Sequence, residues 1–320
     1  MTTDKSAELF PGASKLVEGP VPSSSLLLLG PPGIGKTVFC KQFLGYGLSI
    51  GEPCVFIATD ESPDDVKQSM KAFGFGEEKQ EESGMFHVVD SYSSNPSDTN
   101  KSVKFFGFGG ERQQKNRIFR IVDCYSWKLG VPSSGEYVVN NPADLAALSL
   151  AIDKALHGLR NVRLVLDSIT GLTSISSHNV TYFSKFLQII VAKIRSANGN
   201  AIFSANPEAH DKQFTSFLRL TFDGTLEMKQ DELENEVRRQ LRVVSIKGAK
   251  HKTCWMPFEI TDKGINFENE TTGLRCVMCK RLIESEPYFE VFGGKEYIFD
   301  SLDCARAYGR MKRLYGENFE

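Results

Sequence analysis

The sequence predicts an α/β protein, with a mostly parallel central sheet, an antiparallel extension of that sheet, and a small α+β module at the C-terminus. Three observations predict it. The apolar run Leu26-Leu27-Leu28-Leu29 leads straight into Gly30-Pro31-Pro32-Gly33-Ile34-Gly35-Lys36-Thr37, which fits GxxxxGK[ST], a loop that joins a buried strand to a helix. From there to about residue 205, apolar β-rich runs alternate with amphipathic segments, the βαβ pattern of a parallel sheet. After Gly224 short strand-like segments at 224–229, 239–246 and 256–260 succeed one another, ending at Asp262 to Gly264, as antiparallel strands do.

The first element is a strand over 25–29, which precedes the loop. A helix over 36–49 comes after it, with Val38-Phe39-Cys40-Lys41-Gln42-Phe43-Leu44 in its first turns and its positive N-terminal end toward the loop. A strand over 54–59, a helix from about 63, a strand near 118–123, a helix over 142–157 and a strand over 162–167 come next. A helix over 179–196 carries Phe183, Phe186, Leu187, Ile190 and Ile194 on one face, and a strand over 200–205 completes the series.

Within this series Pro63–Ser93 aligns without gaps on Pro96–Ser126, an offset of 33 residues. Phe73-Gly74-Phe75-Gly76 recurs as Phe106-Gly107-Phe108-Gly109, and Phe86-His87-Val88-Val89-Asp90 as Phe119-Arg120-Ile121-Val122-Asp123. Each copy reads as a helix, a polar loop and a strand. Two copies are too few for a solenoid, so this is a tandem duplication inside a larger fold, which is expected to use one helix and one strand of the pair.

Composition bounds the rest. The 320 residues are 41% hydrophobic, enough for one large domain and a small module, and the net charge of −2 advertises neither nucleic acid nor an anionic membrane. No apolar run approaches a membrane span and the polar N-terminus lacks a signal-peptide core, so a cytoplasmic protein is expected. Of seven cysteines, Cys40, Cys54, Cys124 and Cys254 are read as buried thiols. The other three cluster near the C-terminus.

The loop at Gly30–Thr37 has the chemistry of a triphosphate cradle. Its backbone N–H groups, continuing into Val38, can curl around phosphate oxygens, Lys36 can serve the β and γ phosphates, and the Thr37 hydroxyl can take Mg²⁺. Val162-Arg163-Leu164-Val165-Leu166-Asp167 is an apolar strand ending in an acid, and Asp167 is the candidate Mg²⁺-side carboxylate, or else a helix cap. The strand Cys54–Thr59 runs into Asp60-Glu61-Ser62-Pro63. A carboxylate there can orient a water in line with the γ phosphate, Glu61 being the better candidate of the two; both acids also suit a helix N-terminus.

The phosphate loop, Thr59-Asp60-Glu61-Ser62-Pro63, Val122-Asp123-Cys124-Tyr125-Ser126-Trp127, Leu166-Asp167-Ser168 and Lys247-Gly248-Ala249-Lys250-His251 together resemble KaiC-like ATPases of the RecA superfamily over roughly residues 10 to 267. The resemblance implies a RecA-like P-loop NTPase core in residues 1–268, ATP with Mg²⁺, a catalytic glutamate from the acid pair, and a homo-oligomer such as a hexameric ring with ATP between subunits. Lys247 and His251 would then approach a neighbour's nucleotide, or else stand as solvated strand residues. Two departures stand out. The usual glycine-rich lead-in is eroded to Phe10–Gly19, and where ring-forming relatives have Lys-x-Arg-Gly this chain has Ser245-Ile246-Lys247-Gly248. A lysine cannot reproduce a guanidinium clamp, which implies slow hydrolysis.

Residues 269–320 form the C-terminal module. Cys276-Val277-Met278-Cys279 reads as a zinc knuckle, with Cys304 as a third thiolate at the start of an amphipathic helix. So short a unit gains stability from a metal. Phe299–Cys304 resembles the end of TRASH-like or treble-clef zinc modules, and Asp300 stands where a fourth cysteine is usual; a carboxylate is an acceptable zinc ligand, the alternative being a decayed site with reduced thiols packed in a small core. The leading reading is an ATP-binding protein and ATPase that governs assembly or an unidentified protein partner through this module. A DNA-handling recombinase and a non-hydrolysing ATP sensor or scaffold stand as alternatives.

Overall fold

The structure, a computed structural model, describes residues 9–10, 12–18, 21, 23–75, 118–133, 135–175, 180–233, 236–267, 275–281, 283 and 287–316. In chain order the elements are β1 (Val17–Glu18), β2 (Ser25–Leu29), α1 (Lys36–Ile50), β3 (Cys54–Ala58), α2 (Pro63–Ala72), β4 (Phe119–Asp123), α3 (Tyr125–Leu129), β5 (Tyr137–Val138), α4 (Leu145–Leu156), β6 (Arg163–Asp167), α5 (Ile169–Ile175), α6 (Val180–Ser196) and β7 (Asn200–Ala205). They continue as α7 (Lys212–Thr221), β8 (Gly224–Leu233), β9 (Glu236–Ile246), β10 (Lys250–His251), β11 (Met256–Thr261), β12 (Gly264–Phe267), β13 (Tyr288–Phe292), β14 (Lys295–Phe299) and α8 (Leu302–Tyr315).

Ten strands form one sheet in the order β12-β11-β9-β8-β2-β7-β6-β3-β4-β5. From β8 to β5 neighbouring strands are parallel, while β9, β11 and β12 join by antiparallel pairing. The parallel part is sandwiched, so β2 is buried on both sides and its side chains divide by period two. Leu26 and Leu28 enter one apolar cluster with Phe39, Phe43 and Leu44 of α1, and Leu27 and Leu29 enter the other with residues of α4 and α6. The face of α6 read from sequence, Phe183, Phe186, Leu187, Ile190 and Ile194, is buried in that second cluster. β8 and β9 form a longer hairpin than the sequence pattern suggests, running Gly224–Leu233 and Glu236–Ile246, because charged side chains break the apolar alternation without breaking the ladder. Among the described residues no helix is long and apolar enough to cross a membrane.

The slot beside β3 is filled from both copies of the duplication: α2 comes from the first copy and β4 from the second. Residues 76–117, with the first copy's strand and the second copy's helix, lie outside the described residues. The differences between the copies fit the choice. Val66 of α2 is fully buried where the second copy has Thr99, and Cys124 after β4 is fully buried where the first copy has Ser91. Arg120 of β4 donates to the carbonyls of Ala155 and His157 at 2.8 and 3.1 Å, bonds that His87 at the matching position cannot reproduce.

At the start of β6, Arg163 is 1% exposed and bonded to Glu52 Oε2 at 2.5 Å and to the carbonyls of Leu9 and Phe43 at 2.6 and 3.2 Å. Its guanidinium also lies over the rings of Phe43 and Tyr46. Burial pushes the thiols of Cys40, Cys54 and Cys124 well up, as suits inert core cysteines. Cys254 corrects the sequence reading: it is exposed, because it stands in the connection between β10 and β11 and not on a strand.

In the C-terminal part, β13 and β14 pair as a hairpin and α8 packs beside it. Cys276, Ile283, Tyr297, Phe299, Ala305 and Tyr308 make a separate buried cluster.

Candidate nucleotide site and metal centre

Because β2, β3 and β6 run parallel, the loops at their C-terminal ends meet at one edge of the sheet, the usual place for ligands in open α/β folds. The loop after β2 is Gly30–Gly35, and Gly33 and Gly35 take φ of 74° and 113°, left-handed values that suit glycine alone. A Cβ on Gly35 would also stand 2.7 Å from Ile260 Cδ1, so the loop is pressed against β11. Lys36 opens α1 and donates to the carbonyls of Gly30 and Pro31, both at 2.8 Å, curled over its own loop. Burial lowers its pKa, opposed by the negative charge of Asp167 and Asp60.

Thr37 Oγ1 donates to Asp167 Oδ2 at 2.7 Å, so the two groups read from sequence as Mg²⁺-side ligands meet directly. Ser204, at the end of β7, donates to the other carboxylate oxygen. Burial raises the pKa of Asp167, the hydrogen bonds from Ser204 and Thr37 oppose that, and the charges of Asp60 and Glu61 add to it. A hydroxyl and a buried carboxylate at the foot of a phosphate loop are a donor set that fits Mg²⁺.

The acid pair after β3 divides. Asp60 Oδ2 accepts from Ser168 Oγ at 2.7 Å and its Oδ1 lies 3.7 Å from Lys128 Nζ. Glu61, the better sequence candidate for orienting water, has its Oε2 2.5 Å from Lys41 Nζ. Neither acid belongs to α2, whose N-cap is Ser62 and whose first-turn acids are Asp64 and Asp65. Thr59 and Ser168 tie the strand ends together, Ser168 N–H donating to Thr59 Oγ1 at 2.6 Å.

Lys247 and His251 lie elsewhere. The Lys247 N–H donates to Asp223 O at 2.9 Å, and Asp223 N–H to Ser25 O at 2.8 Å, so Lys247 stands at the N-terminal end of β2. That end is about 13 Å of strand from the phosphate loop. His251 is on β10, opposite Val17 of β1, and its Nδ1 lies 3.0 Å from Ala249 O.

Three neighbours of the site were not legible as such. Ser204 and Ser168 needed the sheet order. Arg239 needed the register: it stands opposite Gln230 and Phe258, and the Phe258 ring is 3.8 Å from a Cβ on Gly35, so all three share the phosphate-loop face. Arg239 Nε is buried without a hydrogen-bond partner among the described residues.

The second cluster is at the C-terminus. The Sγ atoms of Cys276, Cys279 and Cys304 and a carboxylate oxygen of Asp300 all lie within 4.8 Å of one another. Cys276 and Cys279 come from a tight turn closed by Lys280 N–H to Cys276 O at 2.8 Å, and Cys304 is on the first turn of α8, capped by Ser301. Hydrogen bonds from Cys304 and Cys279 hold the Asp300 carboxyl below the usual carboxylate range, and the same carboxylate pushes the Cys304 thiol up to about 12. Three sulfurs and one oxygen at this spacing fit tetrahedral zinc.

Comparison with known proteins agrees with the geometry. A sequence profile described as ATPase: KaiC matches residues 11–272. A UPF0273 protein of Pyrococcus horikoshii is 28% identical over 262 residues, 80% of this chain and 90% of that protein. One of Thermotoga maritima is 29% identical over 262 residues, 80% of this chain and 92% of its own length. A solved KaiC-like protein from Pyrococcus horikoshii has the same fold, with a TM-score of 0.57 at 20% identity, covering 82% of this chain and 97% of that one. The matched stretch takes in the phosphate loop, Asp60, Asp167 and Lys247, and the chain belongs to the KaiC family of ATPases.

Proposed function

We propose that this protein binds ATP with Mg²⁺ in the Gly30–Thr37 loop, hydrolyses it slowly as a homo-oligomer, and uses the nucleotide state to govern assembly or a partner. The observation that carries the reading is the bond between Thr37 and Asp167 at the foot of the loop. Lys36 leaves its two loop carbonyls for the β and γ phosphates, while Thr37 and Asp167 hold Mg²⁺, which when bound neutralises phosphate charge. Asp60, whose carboxylate is turned toward Ser168 beside Asp167, orients the attacking water and takes its proton, while Glu61 is turned away to Lys41. The unpartnered Nε of Arg239 is free to donate to the nucleotide.

Lys247 is too far along the sheet to share its own chain's triphosphate, which supports a role for it, with His251 four residues on, toward the nucleotide of a neighbouring copy. With lysine in place of an arginine clamp that contact is weak, hence the slow rate. Phosphate release and particle size, each measured with and without ATP·Mg²⁺, test the reading. Turnover with nucleotide-dependent assembly is expected, and Asp60→Asn lowers kcat by about a hundredfold. A wild-type chain that binds ATP·Mg²⁺ and releases no phosphate is instead a nucleotide sensor.

The Cys276/Cys279/Asp300/Cys304 set supports a structural Zn²⁺, with the module beyond residue 268 as the partner-binding part. Exposed Phe289 and Val291 on β13 favour that second role. One zinc per chain, lost in Cys304→Ala, is the expected metal content. Deleting 270–320 is expected to spare ATP binding and abolish partner capture.

A further inference from the structure

Helix α1 buries one ammonium. Lys41 is 3% exposed, comes directly after the buried Cys40, and reaches Glu61 Oε2 at 2.5 Å and Ser69 Oγ at 2.6 Å. The Ser69 hydroxyl donates onward to Asp65 O at 2.7 Å, so it accepts from Lys41. One side chain thus links three segments: the helix that begins with Lys36 and Thr37, the acid turn after β3, and α2. Glu61 and Asp60 are adjacent, yet their carboxylates go to different partners, Glu61 to Lys41 and Asp60 to Ser168 beside Asp167 and to the half-exposed Lys128. A buried charge is tolerated only when paired, so Lys41 has no other resting place and its hold on Glu61 is firm.

We propose that Lys41 is a positioning residue of the hydrolytic site: by fixing Glu61 against α1 and α2 it presents Asp60 to the phosphate loop. The inference rests on the ATPase reading above. Lys41 touches no reacting atom in this scheme, and its effect passes wholly through the turn that carries the two acids. Both acids act electrostatically on Asp167, so a released Glu61 would also crowd negative charge toward the triphosphate.

The test compares kcat, KM for ATP and melting temperature in Lys41→Met, Glu61→Gln and the double variant. Methionine keeps the buried stem, and Glu61 is 29% exposed and can be hydrated, so the folded state is retained and is checked by circular dichroism. Because a misplaced catalytic group loses rate, kcat is expected to fall between about tenfold and a hundredfold in either single variant, with KM changed by no more than about threefold. The double variant is expected to be no slower than the worse single one, since both break the same contact. A folded Lys41→Met variant with wild-type kcat overturns the proposal, as does a double variant that loses the product of the two single losses, or a change confined to KM. A wild type without turnover removes the ATPase reading and this proposal together; wild-type turnover with Lys41→Met unaffected removes this proposal alone.

Discussion

Around the central sheet, helices on both faces bury two large sets of aliphatic and aromatic side chains, and the buried Arg163 is paired with Glu52. In the C-terminal part the buried apolar cluster among the described residues is Cys276, Ile283, Tyr297, Phe299, Ala305 and Tyr308. The first region can fold on apolar burial. The second has too little, and its four metal-type ligands sit where a larger protein would place more core. On the proposed zinc reading the two parts of one chain have different failure modes: loss of packing in one, loss of a metal in the other.

The two regions should part most visibly under chelation. Stripping metal with a strong chelator, or substituting Cys279→Ala, should abolish hydrogen-exchange protection across 275–316 and leave the sheet region protected, because metal affinity in such units is folding free energy. The reverse lesion is next in size. Lys36→Ala removes the charged donor of the phosphate loop, and calorimetry should show ATP affinity lower by about a hundredfold or more with zinc content unchanged.

A smaller effect tests the wiring of the sheet. Asp223 accepts from Ser25 N–H and Oγ at 3.0 and 2.8 Å and pairs with Arg195. Burial pushes its carboxyl up, but these partners outweigh that and hold it below the usual range. A depressed folded value stabilises the fold above the unfolded value of about 3.9 and loses that contribution as pH falls through the folded one. Asp223→Asn should therefore cost about 1–3 kcal/mol in denaturant melts at pH 7, and the gap to wild type should close as pH falls below about 4. The smallest effect is expected from deleting Gly76–Phe108, 33 residues that span one repeat offset and leave both α2 and β4 intact. Stability should change by about 1 kcal/mol or less.

Strands and helices of the parallel region were legible because period and punctuation are local: the leucine run, the glycines of the loop, and the face of α6. The phosphate loop, Thr37 and Asp167 were legible for the same reason, each marked by its own flanking strand. Whatever depended on distance in space was not. The direction of Glu61 is set by Lys41 on another helix, and Arg239 joins the phosphate-loop face only through pairing with Phe258 and Gln230. The copies of the duplication are so alike that pattern alone cannot rank them. The choice turns on single contacts, Val66 and Cys124 in apolar clusters and Arg120 on two carbonyls, whose partners lie far away in the chain. Cys254 misleads because an apolar neighbour such as Trp255 imitates a strand.

Arg163 and Asp167 stand at opposite ends of β6, which makes that strand a ruler about 13 Å long. Its lower end is clamped by Glu52, Leu9 and Phe43, and the clamp fits only because Gly47 of α1 has no side chain: a Cβ there would come within 2.4 Å of Arg163 Cδ. A single methyl group at Gly47 would therefore push the Arg163 side chain out of its clamp and leave the Glu52 carboxylate without its guanidinium. The strand that carries Asp167 is thus anchored at the end that lies away from the phosphate loop.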